Sequence, residues 1–156
     1  MIALTSIHTQ EKFSEQELVA LSKEIDPSVD SPLRYYPLLA GKVGERFPIS
    51  DPLKEPLVDP KPVGADGAVC RRQYLHGLLQ GVAEVERAGY QALADLGATP
   101  VTEVLTAGGG ASNDVWTRMR QRMLGVPTAR AGNADAAYGC ARLAGKYHTF
   151  AEIDER

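Results

Sequence analysis

A run of glycines between a strand pattern and a helix pattern is the stretch of this sequence best suited to chemistry. Val104 and Leu105 are strand formers, and Gly108, Gly109 and Gly110 follow them. Because glycine has no Cβ, these residues can take positive φ and let a ligand lie against the backbone. A helix that starts after them presents unpaired N–H groups and a positive partial charge. The pattern therefore favours a phosphorylated small molecule, most often a nucleotide.

The helix after the glycines carries its own signals. Ser112 or Asn113 can cap it, and its apolar residues run to about Leu124. Asp114 falls in the first turn, where its charge suits the helix but reduces the attraction for a dense anion. We therefore expect contact with a nucleoside and its inner phosphates, with the transferred phosphate held elsewhere. Trp116 lies at the edge of the apolar stripe, either as a residue at the rim of the core or as an aromatic wall for a purine.

An ordinary strand-to-helix turn without a ligand also explains three consecutive glycines. The G-x-G-x-x-G spacing of a dinucleotide site is absent, and no Gly-Lys-Ser/Thr follows as in a P-loop. No standard nucleotide motif therefore decides between a bare turn and a binding site at residues 108–116.

Two helices are predicted before the glycine run, and they must position it. A capping box that begins at Ser14 opens a short amphipathic helix, which ends at Asp26. Apolar residues recur at three- and four-residue steps through residues 66–96, which predicts the longest helix. Gly77 and Gly81 each cost that helix roughly 1 kcal/mol relative to alanine, so we expect another backbone to approach them closely. Its charged residues are expected to form a solvated face: Arg71, Arg72, Glu84, Glu86 and Arg87.

The region between these helices is rich in proline. Prolines throughout residues 28–63 exclude a long helix and allow only short strands, such as 34–39. Residues 39–48 form a glycine-containing loop in which Glu45 and Arg46 can pair. Such a loop is either solvated, with a surface pair contributing under ~1 kcal/mol, or it carries function.

The end of the chain is predicted to contain one more strand and one more helix. The strand covers residues 126–130, and Asn133 or Asp135 then caps a helix over residues 136–144. Gly145 is placed as its C-cap, and residues 147–156 are expected to be a frayed tail. One face of this helix carries only small side chains and suits tight packing: Ala137, Cys140, Ala141 and Ala144.

The composition is that of an ordinary soluble domain, with 156 residues, 44% hydrophobic residues and a net charge of −3. Neither nucleic acid nor a membrane is indicated as a partner, and the N-terminus lacks the charged-then-apolar pattern of a signal peptide. Cys70 and Cys140 lie in predicted helices and are expected to be reduced, packed thiols in the cytosol, so the predicted location is cytoplasmic. The cysteines and histidines show no metal-binding spacing, and His76 is expected to be structural.

Three segments in order resemble the C-terminal part of the FGGY family of carbohydrate kinases. Residues 39–52 are similar to the family's Gly-Glu-Arg-x-Pro loop with its following Asp-Pro. Residues 72–82 resemble a family helix that carries a Glu-Gly pair, although His76 replaces the glutamate. Residues 106–144 resemble the Gly-Gly-Gly adenosine segment with its tryptophan, then a Leu-Gly-x-Pro turn and a final helix rich in alanine and glycine. The amino-acid sequence around residues 35–48 is most similar to that of the ribulose/xylulose kinase branch of cyanobacteria and plants.

The resemblance implies an α/β fold, part of an actin-like, ribonuclease-H-like ATPase domain with short strands and packed helices. It implies that residues 1–156 form a single C-terminal ATP-binding domain of a kinase that phosphorylates a pentulose-like sugar with ATP and Mg²⁺. The backbone of Gly108, Gly109 and Gly110 would approach the ribose and phosphates, Asn113 would hydrogen-bond the nucleotide, and Trp116 would flank the adenine. The final helix would pack near the hinge between two domains.

The resemblance does not extend to the catalytic machinery. The family's catalytic aspartate lies in the sugar-binding half, and no aspartate here has the matching context. We therefore assign no catalytic residue, and the sugar would be bound through an N-terminal half that is missing. The alternative is a non-catalytic kinase-like module that acts in dimerisation or regulation, and the cleft face left without its other half is compatible with a homodimer.

Overall fold

The computed structural model describes residues 13–38 and 54–147 of the chain. These residues contain both helices and short strands, so this part of the chain is mixed α/β. The helices are α1 (Glu15–Lys23), α2 (Arg71–Asp95), α3 (Asp114–Leu124) and α4 (Ala136–Tyr147), and the strands are β1 (Val104–Thr106) and β2 (Thr128–Arg130).

The predicted capping box at the start of α1 is present. The Ser14 hydroxyl accepts from the backbone N–H of Glu17 at 3.2 Å, and the Glu17 carboxylate accepts from the N–H of Ser14 at 2.9 Å. Two of the N–H groups left unpaired at a helix start are satisfied in this way, which fixes where α1 begins.

The long helix α2 begins later than the sequence predicted. The prediction that it starts at residue 66 is wrong, since the first helical residue is Arg71. A tight turn occupies the preceding residues, where Gly67 has φ +77° and the N–H of Gly64 donates to the carbonyl of Ala68 at 2.7 Å. The periodicity of apolar residues does not reveal this turn. The positive φ of Gly67 is not a helical conformation, so α2 can begin only after it.

Strand β1, helix α3 and strand β2 form a parallel β–α–β unit. Val104 pairs with Thr128 and Thr106 pairs with Arg130, in a sheet of two strands within the described residues. The predicted strands are confirmed at both positions. Helix α3 ends at Gly125, whose left-handed conformation (φ +71°) lets its N–H bond to the carbonyl of Gln121 at 3.0 Å.

The core lies between α1, α2 and α3. Phe13 packs against both of its two clusters and links them. The first cluster joins the three helices: Ile25, Leu75, Leu79, Val115 and Met119. The second lies where an extended stretch crosses α2: Tyr35, Tyr74 and Leu78. Helix α3 is thus anchored on α2, and the glycine run at its start is held through that contact.

The close approach of another backbone is confirmed at Gly81, whereas the atoms close to Gly77 belong to side chains. A Cβ added at Gly77 would lie 2.8 Å from the ring of Tyr35, and one at Gly81 would clash with the carbonyl oxygen of Tyr35. The approaching chain is the extended stretch 31–38. It forms one antiparallel bridge, Tyr36 with Leu57, in place of the predicted strand over 34–39, whose last residue lies outside the described part.

Helix α4 differs from its prediction in two respects. The helix continues through Gly145 to Tyr147, so Gly145 is not its C-cap, and this glycine does not take the positive φ that such a cap needs. Residues 136–145 are also exposed, so the predicted tight packing of the small-residue face is not observed in the described residues. Asp135 caps the helix through a 2.9 Å bond from the N–H of Ala137.

The two cysteines are free, and Cys140 is exposed, so the prediction of a packed thiol there is wrong. None of the helices in residues 13–38 and 54–147 combines the length and the apolar character needed to cross a lipid bilayer. The predicted loop at 39–48 and residues 148–156 of the predicted tail lie outside the described residues.

Candidate functional site

The glycine run forms an exposed turn between β1 and α3. Gly108 has φ +83° and ψ −172°, a conformation essentially reserved for glycine. Residues Gly109–Ser112 then make one turn of 3₁₀ helix, in which the N–H of Ala111 donates to the carbonyl of Gly108 at 3.1 Å. Within the described residues, the N–H groups of Gly109 and Gly110 find no backbone acceptor. They are donors at the carboxyl end of a parallel strand, where open α/β sheets bind their ligands.

Gly110 differs from its two neighbours because it is partly covered by the protein itself. A Cβ added at this residue would lie 2.8 Å from Cζ3 of Trp116. The absence of a side chain at Gly110 is therefore explained by the indole alone, without a ligand. Gly108 and Gly109 are exposed, so a ligand that approached the turn would meet the backbone of these two residues first.

The indole of Trp116 lies at the rim of the core. It is partly buried, packs on the cluster formed by α1, α2 and α3, and donates from Nε1 to the carbonyl of Leu79 at 3.3 Å. The rim position was one of the two alternatives left open by the sequence. The ring is not fully buried, so it is also placed to touch a molecule bound at the turn.

Asn113 is the residue that caps α3. Its Oδ1 accepts from the N–H of Trp116 at 3.0 Å, and its Nδ2 donates to the Ser22 hydroxyl of α1 at 2.9 Å. Ser112, the other capping candidate, donates its hydroxyl to the carbonyl of Gly109 at 2.6 Å. A carboxamide can make four hydrogen bonds, so one N–H and one lone pair of Asn113 have no partner among residues 13–38 and 54–147. The cap also ties the start of α3 to α1.

Sequence reasoning missed an arginine directly behind this turn. Arg120 is buried, with 5% of its surface exposed. Its Nε and Nη2 donate to the two carboxylate oxygens of Glu86 at 2.7 and 2.6 Å, and its Nη1 donates to the Thr106 hydroxyl at 2.5 Å. The prediction that Glu86 lies on a solvated face is therefore wrong. Glu86 is one half of a bidentate ion pair between α2 and α3. Spacing along α2 could not reveal this, because the partner lies 34 residues away.

Three more of the charges of α2 that were predicted to be solvated pair across elements nearer the surface: Arg71, Arg72 and Glu84. Arg34 meets Glu84 at 2.8 Å, and Arg71 meets Glu17 of α1 at 3.1 Å. Exposed pairs of this kind contribute little stability. Beside the buried pair, burial raises the pKa of the Tyr90 hydroxyl, and the negative charge of Glu86 raises it further.

A pocket of about 260 Å³ lies elsewhere, on a different face of α2. It contains no residue of the glycine run, and the charges at its wall already have partners. Arg34 is paired with Glu84, and the ammonium of Lys54 lies 3.9 Å from the centre of the Tyr36 ring. Its lining consists of Arg34, Tyr35, Tyr36, Lys54, Gly81, Glu84, Val85 and Ala88. The exposed backbone donors at the glycine turn make that turn the better candidate site.

A protein-family model matches most of the chain. The family model described as "FGGY family of carbohydrate kinases, C-terminal domain" matches residues 3–147. The match includes α1 to α4, both strands and all five residues of the predicted site. The chain therefore belongs to the FGGY family of carbohydrate kinases, in which it corresponds to the C-terminal domain.

Proposed function

We propose that this chain is the ATP-binding, C-terminal portion of a sugar kinase that phosphorylates a pentulose-like carbohydrate with Mg²⁺ and ATP. The observation that carries the proposal is the exposed turn at the carboxyl end of β1, with Gly108 at positive φ and the N–H groups of Gly109 and Gly110 pointing to no acceptor in the described residues. The family to which the chain belongs makes adenine nucleotide the natural ligand of such a turn.

The residues around the turn fit an adenosine and its inner phosphates. The backbone of Gly108, Gly109 and Gly110 would approach the ribose and phosphates, since exposed N–H groups favour anionic oxygens. Asn113 would use its remaining N–H and lone pair for the nucleotide. Trp116 would flank the adenine with the part of its ring that is not buried. These assignments follow the positions that were predicted from the sequence.

The phosphate-transfer chemistry would be completed by other parts of the enzyme. In such a transfer Mg²⁺ neutralises charge on the phosphates, and an aspartate takes the proton of the sugar hydroxyl. The described residues contain no cluster of three His, Cys, Asp or Glu side chains that could hold a metal ion. Mg²⁺ would therefore reach this domain with the phosphates. We assign the sugar contacts and the catalytic base to the N-terminal half of an actin-like, two-domain enzyme in the cytoplasm.

Calorimetric titration of the purified chain with ATP tests the proposal. We expect weak binding of ATP and ADP and none of ribose 5-phosphate, with no phosphorylation of a pentulose by the chain alone. Gly109→Val covers the exposed turn with a branched side chain and should abolish binding. Gly132→Val is the matched control, because this glycine is exposed and a Cβ there would meet nothing within 4 Å.

Absence of binding in a folded chain, or equal loss of binding in both variants, would count against the nucleotide site. Turnover of a pentulose by the 156-residue chain would show that the assignment of catalysis to another half is wrong. The non-catalytic alternative is not favoured by the family match, and a homodimer can be tested separately by light scattering.

A further inference from the structure

The buried ion pair between Arg120 and Glu86 lies directly behind the glycine turn. One end of the guanidinium is held by both carboxylate oxygens of Glu86, and the other end donates to Thr106, the last residue of β1. The Arg120 side chain is only 6% exposed and that of Glu86 is 23% exposed. A single side chain thus links α2, α3 and the strand end from which the turn begins.

The same guanidinium also lies against the indole. The Cζ atom of Arg120 is 5.0 Å from the centre of the Trp116 ring, within the range of a cation–π contact. The Cζ3 edge of the Trp116 ring covers Gly110, and the ring nitrogen Nε1 donates to the carbonyl of Leu79 in α2. The indole over the turn therefore contacts the core cluster, the carbonyl of Leu79, Gly110 and Arg120, and Arg120 also contacts the strand end.

Stability alone is a weak reason for this pair. Burying two charges has a large desolvation cost, and apolar residues of the same volume often stabilise a core equally well. A bidentate arginine instead fixes geometry, because its planar fork admits few arrangements. What it fixes here is the spacing between Thr106, the Trp116 ring and α2.

We propose that Arg120, held by Glu86, is a positioning residue that keeps the Trp116 ring against Gly110 and so holds the glycine turn in its nucleotide-binding conformation. The nucleotide part of this inference rests on the function proposed above. The contact between Arg120 and Trp116 does not depend on it and can be tested in the chain without ligand.

Trp116 is the single tryptophan of the chain, so its fluorescence reports on the contact directly. Acrylamide quenching and the emission maximum should be measured for the wild type, Arg120→Met and Arg120→Lys. We expect stronger quenching and a shifted emission in Arg120→Met, with an intermediate result in Arg120→Lys, which keeps the charge but not the fork. ATP binding should weaken about tenfold in Arg120→Met, as expected when one interaction of ordinary strength is lost.

Arg122→Met is the matched control on the same helix. Arg122 pairs with Asp30 at 2.7 Å and donates to the carbonyl of Pro27 at 2.9 Å, and its partners do not include Trp116. This variant should leave both the quenching and the ATP affinity at wild-type values. The loss of one partner of a buried ion pair can unfold a domain. The double variant Glu86→Met/Arg120→Met is therefore a second test, because it leaves neither charge of the pair buried without its partner.

Unchanged quenching and emission in folded Arg120→Met or in the double variant would overturn the positioning role, as would an equal effect of Arg122→Met. Failure of the proposed function has a different signature. In that case the wild-type chain itself shows no ATP binding, while the quenching of the ligand-free variants still decides whether Arg120 holds the indole.

Discussion

Glycines serve two different purposes in this domain, at Gly77 and Gly81 of α2 and at Gly108 to Gly110 before α3. The pair on α2 is buried, and each member faces backbone or ring atoms of Tyr35. In the run before α3, Gly108 and Gly109 are exposed, and Gly110 lies against the edge of Trp116. Space left by a missing side chain is filled by Tyr35 at the first site, whereas two of the three glycines at the second site are exposed to solvent. A glycine pattern therefore indicates a ligand only where no other part of the chain occupies that space.

The largest effect is expected from Gly81→Ala. The added methyl group would collide with the carbonyl oxygen of Tyr35, and an extended backbone segment cannot move without loss of the contacts around it. We expect a loss of about 3 kcal/mol in the free energy of unfolding, measured with urea. Gly139→Ala in the exposed helix α4 is the control, where a Cβ meets nothing and should stabilise slightly. A neutral Gly81→Ala would show that this site is not tightly packed.

Gly110→Ala should have a smaller effect on stability and a larger one on Trp116. The atom in the way is Cζ3 of the indole at 2.8 Å, the edge of a side chain that can turn aside. We expect a loss of about 1–2 kcal/mol, accompanied by a change in tryptophan emission that Gly81→Ala does not produce in its folded state. If both variants shift the emission equally, the two glycine sites are coupled and the distinction between them fails.

Asn113→Ala tests how much the cap of α3 stabilises the end of the glycine turn. The change removes the cap of α3 and the bond to Ser22, which should lower the free energy of unfolding by about 1 kcal/mol. Asn113→Asp keeps the acceptor for the N–H of Trp116 but cannot donate to Ser22. The free energy of unfolding of Asn113→Asp, measured by chemical denaturation, should lie between the values for the wild type and Asn113→Ala. Equal stability of all three would mean that the cap contributes nothing measurable.

The smallest of these effects should be a dependence of the free energy of unfolding on pH, which arises from His76 next to Gly77. Burial lowers the pKa of His76, and the positive charges of Arg122 and Arg72 lower it further, against a backbone hydrogen bond at Val29 and the charge of Asp30. The unfolded chain therefore binds this proton more readily than the folded chain. Stability is fully present above the unfolded pKa of about 6.5 and should fall as the pH drops below that value towards the lower folded pKa.

Unfolding measured between pH 7.5 and 5.0 in the wild type and in His76→Gln checks this expectation, because the variant should lose most of the slope. The nearby carboxylates do not interfere in that window. Hydrogen bonds from Ser28 and Arg122 lower the pKa values of Asp26 and Asp30 respectively, so both titrate in more acidic solution. A slope that survives in His76→Gln would assign it to other groups.

The candidate site was predictable to the extent that its parts are neighbours in the chain. The glycine turn and the cap of α3 lie within residues 108–116, and local hydrogen bonds determine them. Strand β1 precedes them and is completed by its pairing with β2. The sequence also allowed Ser112 as the cap, and only the folded chain shows that Asn113 takes this role with support from Ser22. Arg120 was not identified at all, because its partner Glu86 is brought to it by the packing of α2 on α3.

By itself the sequence determined where a helix begins when a short-range signal marks the start, as the capping box at Ser14 does for α1 and a cap at Ser112 or Asn113 does for α3. Each of these signals is a hydrogen bond or a backbone conformation completed within a few residues. The tertiary structure alone decided that Tyr35 fills the space beside Gly81, that Glu86 is buried with an arginine, and that Trp116 covers Gly110. These contacts join distant parts of the chain, and their free energy exists only once the helices have packed.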